Sequence, residues 1–155
     1  MTLFPLVLLA PILAAVAYFD LRYMRIPNAL VLLALALFVL SAPFLGWPEI
    51  GTRVAASLVV LVIGFALFAM GMFGGGDAKM MAALMLFVPS QSYTLFGYGF
   101  SAAMLAGIGL ILLLRRVPVL TETSWVSFQQ RGTFPMGISI AMAGLVHPIA
   151  ILLVA

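Results

Sequence analysis

The sequence predicts an all-α, polytopic membrane protein, a bundle of about six transmembrane helices with its N-terminus outside. The chain has 155 residues, of which 66% are hydrophobic and only 7% are charged. So few charged residues cannot cover a water-facing surface. The apolar residues also fall into runs that match the roughly 20 residues needed to cross a bilayer as a helix. The length favours one membrane-embedded domain over residues 1–155.

Each apolar run is a candidate membrane span. Five runs approach spanning length, and a shorter one separates the third from the fourth: 3–19, 29–45, 54–73, 78–88 (the short run), 95–114 and 134–155. Backbone groups inside a bilayer must pair within the chain, and the sequence lacks the alternating pattern of a barrel. We therefore expect every run to be a helix.

Positive charges test whether the short run 78–88 crosses, because Lys and Arg concentrate in cytoplasmic loops. With six crossings and the N-terminus outside, Arg53 lies outside and six cations lie inside: Arg22, Arg25, Lys79, Arg115, Arg116 and Arg131. Without that crossing, three cations would lie inside and four outside. Six crossings are expected, with the bilayer thinned around the short helix.

The composition excludes several kinds of chemistry. A net charge of +3 is too small for nucleic acid binding by so apolar a chain. The chain has no cysteine and one histidine, so we expect neither a metal site nor a cofactor. Serine and threonine show no nucleophile-elbow pattern. The acids are the remaining candidates for catalysis.

Two of the four acids stand where spans end. Glu49 and Glu122 are expected at solvated surfaces. Asp20 and Asp77 each follow a span that runs from outside to inside, so both should reach the same cytoplasmic depth. An ionisable group at a span is a candidate functional site. Two neighbouring carboxyl groups retain one proton, so one can activate water while the other protonates a scissile carbonyl.

A plainer interpretation of the two aspartates is that they anchor the chain at the membrane interface. Asp20 would then pair with Arg22 or Arg25, and Asp77 with Lys79. Three consecutive glycines before Asp77 favour the catalytic interpretation: Gly74, Gly75 and Gly76. They remove every Cβ beside the acid and permit positive φ, which would let an extended substrate backbone approach. A flexible turn or a close helix crossing is the alternative for these glycines.

Three motifs resemble those of a known family. Gly74-Gly75-Gly76-Asp77, followed by Lys79, is similar to the GxGD signature of intramembrane-type aspartyl proteases. The run DLRYMRIPN at 20–28 resembles the first-aspartate motif of type IV prepilin peptidases. The run FPMGI at 134–138, with Pro135 and Gly137, resembles the Pro-x-Gly element of that family's final span. Met136 departs from the aromatic residue that short members often carry there.

The length resembles that of the short peptidases serving Flp-type (tight adherence) pili, which lack a methyltransferase half. The resemblance implies an aspartic endopeptidase of the bacterial cytoplasmic membrane, with Asp20 and Asp77 as the catalytic pair. Its substrate would be a prepilin with a short basic leader in the cytoplasm and an apolar helix in the bilayer. It would cut between them, near the cytoplasmic face. Association with the pilus assembly machinery is a further implied partnership.

Other residues near the motifs have expected supporting roles. Pro27 begins the second span, and Asn28 is expected to orient Asp20 through a side-chain hydrogen bond. Lys79 either holds Asp77 ionised, binds an acidic residue of the substrate, or anchors the chain to lipid headgroups.

Two other classes of protein remain open from the residues alone. A small transporter could use Asp20 and Asp77 to relay protons or bind a cation. Such transporters typically have inverted repeats and acids near the bilayer midplane, whereas here the acids lie towards one face and no repeat is evident. A non-catalytic membrane subunit of a secretion assembly would tolerate neutral residues at both positions.

Overall fold

The computed structural model describes residues 3–117, 123–129 and 134–154, and the regular structure in these ranges is entirely helical. The helices are α1 (Phe4–Tyr23), α2 (Asn28–Ser41), α3 (Trp47–Ala69), α4 (Gly75–Met85), α5 (Tyr93–Leu114), α6 (Val126–Gln129) and α7 (Met136–Val154). Short 3₁₀ turns follow α2 at Ala42–Phe44 and precede α5 at Ser90–Ser92. The all-α prediction is confirmed. Glu122 and Arg131 lie outside the described residues.

Several helices are suited to a membrane. Four are long and apolar enough to cross one: Phe4–Tyr23, Trp47–Ala69, Ser90–Leu114 and Met136–Val154. The segment Asn28–Phe44 is a shorter apolar helix. Helix α4 has 11 residues and is therefore about 16 Å long, roughly half the thickness of the hydrocarbon core. The long apolar helices make the chain a multi-pass membrane protein, as predicted.

Successive helices from α1 to α5, and then α7, alternate in direction along the bundle. At one end of the bundle, the last turn of α1 meets the first turn of α7, where the Gly137 N–H donates to Asp20 Oδ2 at 2.6 Å. Towards the other end, the Ser92 hydroxyl before α5 lies 2.9 Å from His147 Nε2 in the second half of α7. We name the first the Asp20 end and the second the Arg53 end, after Arg53, whose partner Glu49 accepts the Ser90 N–H there. Two acids lie at the Asp20 end: Asp20 in the last turn of α1 and Asp77 in the first turn of α4.

Helix α4 lies inside the bundle. It packs against α3, α2 and α7, and most of its side chains are buried. The residues that follow it, 86–88, are buried as well. Non-helical backbone at membrane depth is tolerated where protein covers it, so a short helix is possible at this position.

Polar and small residues of α3 hold α4 in place. Ser57 Oγ donates to the Ala82 carbonyl at 2.7 Å. A Cβ on Gly64 would lie 2.9 Å from Ala78 Cβ, so the two helices cross closely there. Arg53 Nη1 faces the carbonyls of Leu86 at 3.4 Å and Phe87 at 3.2 Å. Arg53 thereby supplies donors to carbonyl groups at the end of α4 that would otherwise be buried without partners.

Arg53 and Glu49 form a partly buried network at the Arg53 end. The Arg53 side chain is fully buried, and its Nε lies 2.8 Å from Glu49 Oε1. Glu49 also accepts hydrogen bonds from Ser90, at 2.9 Å from the N–H and 2.6 Å from the hydroxyl. The Glu49 side chain keeps 28% exposure, so it is partly solvated as expected, but it also holds Arg53 and Ser90, which the expectation did not include. A guanidinium away from water needs a carboxylate partner, and the i,i+4 spacing of this pair was the available sequence signal.

Candidate active site

Asp20 lies in the last turn of α1 and is buried. Its Oδ2 accepts the Gly137 N–H at 2.6 Å, and the Ile138 N–H also interacts with this carboxyl group. Both donors belong to the first turn of α7, and the N-terminus of a helix attracts negative charge. The carboxyl group of Asp20 is thus held by the start of another helix.

Gly137 has no room for a side chain. A Cβ at this position would lie 2.8 Å from each of Cβ, Cγ and Oδ2 of Asp20. Pro135 stands directly before α7, and its missing N–H costs nothing at a helix start. The Pro-x-Gly element therefore begins α7 and leaves space for the Asp20 carboxyl group, a role that the sequence did not reveal.

Asp77 is the third residue of α4 and is half-buried. Its carboxyl group folds back toward Gly74, whose backbone N–H donates to it. Gly74 is the N-cap of α4, with φ −77° and ψ 139°, so this contact is the reciprocal half of a capping box. A Cβ on Gly74 would overlap Asp77 Oδ2. The glycine before the acid therefore makes room for the carboxyl group itself.

The next two glycines permit close packing of the first turn of α4. A Cβ on Gly76 would lie 3.2 Å from Ile26 Cβ and from the Ile26 carbonyl oxygen. A Cβ on Gly75 would lie 3.4 Å from Phe68 Cε2 at the end of α3. Residues 74–76 do not use positive φ, so the conformational part of the expectation for them is wrong.

Gly71 is the described glycine that does adopt positive φ, at +74°. It ends α3: its N–H donates to the Phe68 carbonyl at 2.9 Å, and the Met72 N–H donates to the Leu67 carbonyl at 3.0 Å. These two bonds form a Schellman motif. The sequence signal was Gly71 itself, which lies inside the predicted run 54–73. Helix α3 ends at Ala69, four residues before the predicted boundary at 73.

One cavity of about 290 Å³ contains both aspartates. Its lining comes from the end of α1, the α1–α2 connection and the start of α4: Asp20, Met24, Arg25, Ile26, Gly74, Gly75, Gly76 and Asp77. The carboxyl groups are close enough for the charge of Asp77 to act on Asp20. Met24, in the left-handed conformation with φ 50°, caps α1 and turns the chain back beside the cavity.

Two of the expected cationic partners of the aspartates are bonded elsewhere, whereas Arg25 lines the cavity that both acids share. Lys79 Nζ donates to Asn28 Oδ1 at 3.2 Å, so the amide of Asn28 binds Lys79 and does not orient Asp20. Pro27 is the N-cap of α2, as its predicted role at a helix start requires. Arg22 hydrogen-bonds the Tyr18 hydroxyl. Across residues 3–117, 123–129 and 134–154, the structure has an ion pair neither at Asp20 nor at Asp77.

A comparison with protein families finds a match over most of the chain. Residues 7–121 match the model of the type IV leader peptidase family, a segment that contains both aspartates and the three glycines. Pro135 and Gly137 lie beyond it. No curated protein and no solved structure shows significant similarity to the chain. Because the family match covers well over half of the sequence, the chain belongs to the type IV leader peptidase family, the aspartic peptidases that remove the leaders of prepilins.

Proposed function

We propose that Asp20 and Asp77 are the catalytic pair of this peptidase and hydrolyse the peptide bond between leader and mature prepilin. The observation that carries this proposal is the single cavity that both residues line. Neither carboxyl group is neutralised by a cation within the described ranges. Two carboxyl groups in that situation share a proton, which is the state an aspartic peptidase uses.

The pair would act in two proton-transfer steps. The ionised carboxylate takes a proton from water as the water oxygen attacks the scissile carbonyl carbon, and the protonated carboxyl group donates its proton to the carbonyl oxygen. As the tetrahedral intermediate collapses, the C–N bond breaks and the leaving nitrogen takes a proton from the pair. One hydroxyl of the intermediate returns a proton to the pair. The products are a carboxylic acid on the leader, which then ionises in water, and an amine on the mature segment, and the pair again holds one proton.

The surroundings of Asp20 and of Asp77 support this mechanism. The first turn of α7 holds Asp20 through the Gly137 N–H, which limits its movement as the proton is transferred. Around Asp77, the glycines at 74–76 present backbone without side chains along the cavity. The missing Cβ of Gly74 leaves room for the Asp77 carboxyl group beside the cavity that a substrate would enter.

We propose that the substrate is a Flp-type prepilin. The supporting feature is the resemblance of the motifs at 20–28 and 74–77 to those of type IV prepilin peptidases. The test is co-expression with an epitope-tagged Flp-type prepilin, followed by mass measurement of the pilin. Wild-type peptidase should reduce its mass by that of the leader. Cleavage of a longer type IV prepilin but not of the Flp-type one would refute the substrate class. A membrane-inserted wild type that cleaves neither would refute the catalytic proposal.

We further propose six crossings with the N-terminus outside, which would place the cavity at the cytoplasmic face. The alternating helix directions and the six-to-one distribution of cations support this arrangement. The chain has no cysteine, so Tyr23→Cys and Trp47→Cys, both at exposed positions, are single-site probes. A membrane-impermeant thiol reagent should label Trp47→Cys in intact spheroplasts and Tyr23→Cys only after permeabilisation. The opposite labelling pattern would invert the topology.

A further inference from the structure

A larger cavity of about 730 Å³ lies between α2 and α3. Both helices pack against α4, which forms its floor. The walls are mostly apolar and include Leu32 and Leu35 on α2 and Leu58 and Leu61 on α3, while Ala82 and Ala83 lie on the floor. We name this feature the α2–α3 groove.

One end of the α2–α3 groove adjoins the candidate active site. Asn28 and Lys79 line that end and are hydrogen-bonded to each other at 3.2 Å. Each stands two residues after a residue that lines the aspartate cavity, Ile26 and Asp77 respectively. From Asn28 the lining continues along α2 to Val39, a length of roughly 16 Å, or three helical turns.

The shape and chemistry of the groove suit an apolar helix. Its floor of alanines allows close approach of another helix backbone, as small residues do at membrane helix interfaces. The Ser57 hydroxyl in the lining is already bonded to the Ala82 carbonyl at 2.7 Å. The groove therefore offers apolar contact along its length and polar groups at the end next to Asp77.

We propose that the α2–α3 groove binds the apolar N-terminal helix of the mature prepilin segment and delivers the scissile bond to the aspartate cavity. This inference rests on the proposed function, in which the cut lies where the basic leader meets an apolar helix. A helix in the groove would have one end beside Lys79 and Asp77, as such a cut requires. Lipid chains and a second copy of this chain are the competing occupants.

Matched tryptophan substitutions test the groove. Leu32 and Leu58 line it, whereas their neighbours Leu33 and Val59 do not, although the exposed fractions are similar, at 64%, 56%, 55% and 58% respectively. Leu32→Trp and Leu58→Trp should fill the groove and raise KM for prepilin about tenfold or more, with kcat little changed. Leu33→Trp and Val59→Trp should leave both constants within about twofold of wild type.

The outcomes separate this proposal from the proposed function. If the wild type cleaves prepilin and the groove variants retain its KM, the groove proposal is wrong while the proposed function stands. If the wild type cleaves no prepilin, the proposed function itself fails. The amount of each variant in the membrane, measured by immunoblot, normalises the rates.

Cross-linking identifies the occupant directly. In an Asp77→Asn background, which should keep the prepilin uncleaved, Leu58→Cys and Val59→Cys are paired with a prepilin carrying one cysteine in its apolar helix. We expect a disulfide-linked peptidase–prepilin adduct with Leu58→Cys and little with Val59→Cys. A peptidase–peptidase adduct at Leu58→Cys would assign the groove to a second copy. Prepilin that binds the peptidase but forms no adduct at position 58 would show that prepilin lies outside the groove and would leave lipid as its occupant. Either this result or the peptidase–peptidase adduct would overturn the proposal.

Discussion

Replacing either Asp20 or Asp77 by asparagine is expected to abolish removal of the prepilin leader. The amide keeps the size of the carboxyl group but can neither take the proton of the attacking water nor supply one to the carbonyl oxygen. Positioned acid–base groups contribute about 10²–10⁴-fold each, so each single variant should lose at least that factor in cleavage rate. The measurement is the mass of a tagged prepilin over time, with the membrane content of each variant determined in parallel.

The double variant Asp20→Asn/Asp77→Asn is the matched control for this prediction. Residues that act as a unit show non-additive losses, so the double variant should be no less active than either single one. Multiplying losses would mean that the two acids act independently, and wild-type processing by either single variant would remove that residue from the site. Both results can be obtained without knowing which acid is the base.

The Gly137→Ala variant is expected to lose about 10²-fold or more in cleavage rate although it is far from Asp20 in the sequence. The added Cβ would lie 2.8 Å from three atoms of the Asp20 side chain, so either Asp20 or the start of α7 must move. That movement breaks the 2.6 Å hydrogen bond from the Gly137 N–H. A displacement of about 1 Å in a catalytic group can cost on the order of 10²-fold in rate. The rate is measured on tagged prepilin in detergent or nanodiscs.

Gly109→Ala is the control for the substitution at Gly137. Gly109 also lies in a helix, α5, but a Cβ there would meet no atom within 4 Å. This variant should cleave prepilin at the wild-type rate and be slightly more stable, because alanine restricts the unfolded chain. Equal rates for Gly137→Ala and Gly109→Ala would show that the contact between α7 and Asp20 has no effect on catalysis.

Much of the helical architecture is predictable from the sequence because lipid forces each apolar run to satisfy its own backbone hydrogen bonds. The run at 95–114 corresponds to α5, which begins at Tyr93 and ends at Leu114. The bounds predicted from the run at 54–73 were less accurate, because α3 begins earlier, at Trp47, and ends at Ala69. The early start includes Glu49 and Arg53, whose charges interrupt the apolar pattern yet pair with each other inside the helix. A hydropathy average counts both charges against a membrane helix and does not detect that they pair with each other.

The candidate site, like the helices, was predictable from the sequence only in part. That Asp20 and Asp77 stand at helix ends is visible in the sequence, because each acid directly adjoins an apolar run. The partners of the supporting residues are not visible. Asn28 was expected to serve Asp20 but bonds Lys79 instead, since the choice between two nearby polar groups depends on distances set by helix packing.

The residue pattern alone predicts a helical membrane protein with acids at two helix ends, because burial from water and helix termination are local properties of a chain. The packing of the helices establishes the rest. The Gly137 N–H reaches Asp20 across 117 residues, and Arg53 caps α4 from a neighbouring helix. Both contacts depend on how closely and at what height separate helices cross. The linear sequence does not show which distant backbone group a glycine or an arginine will contact.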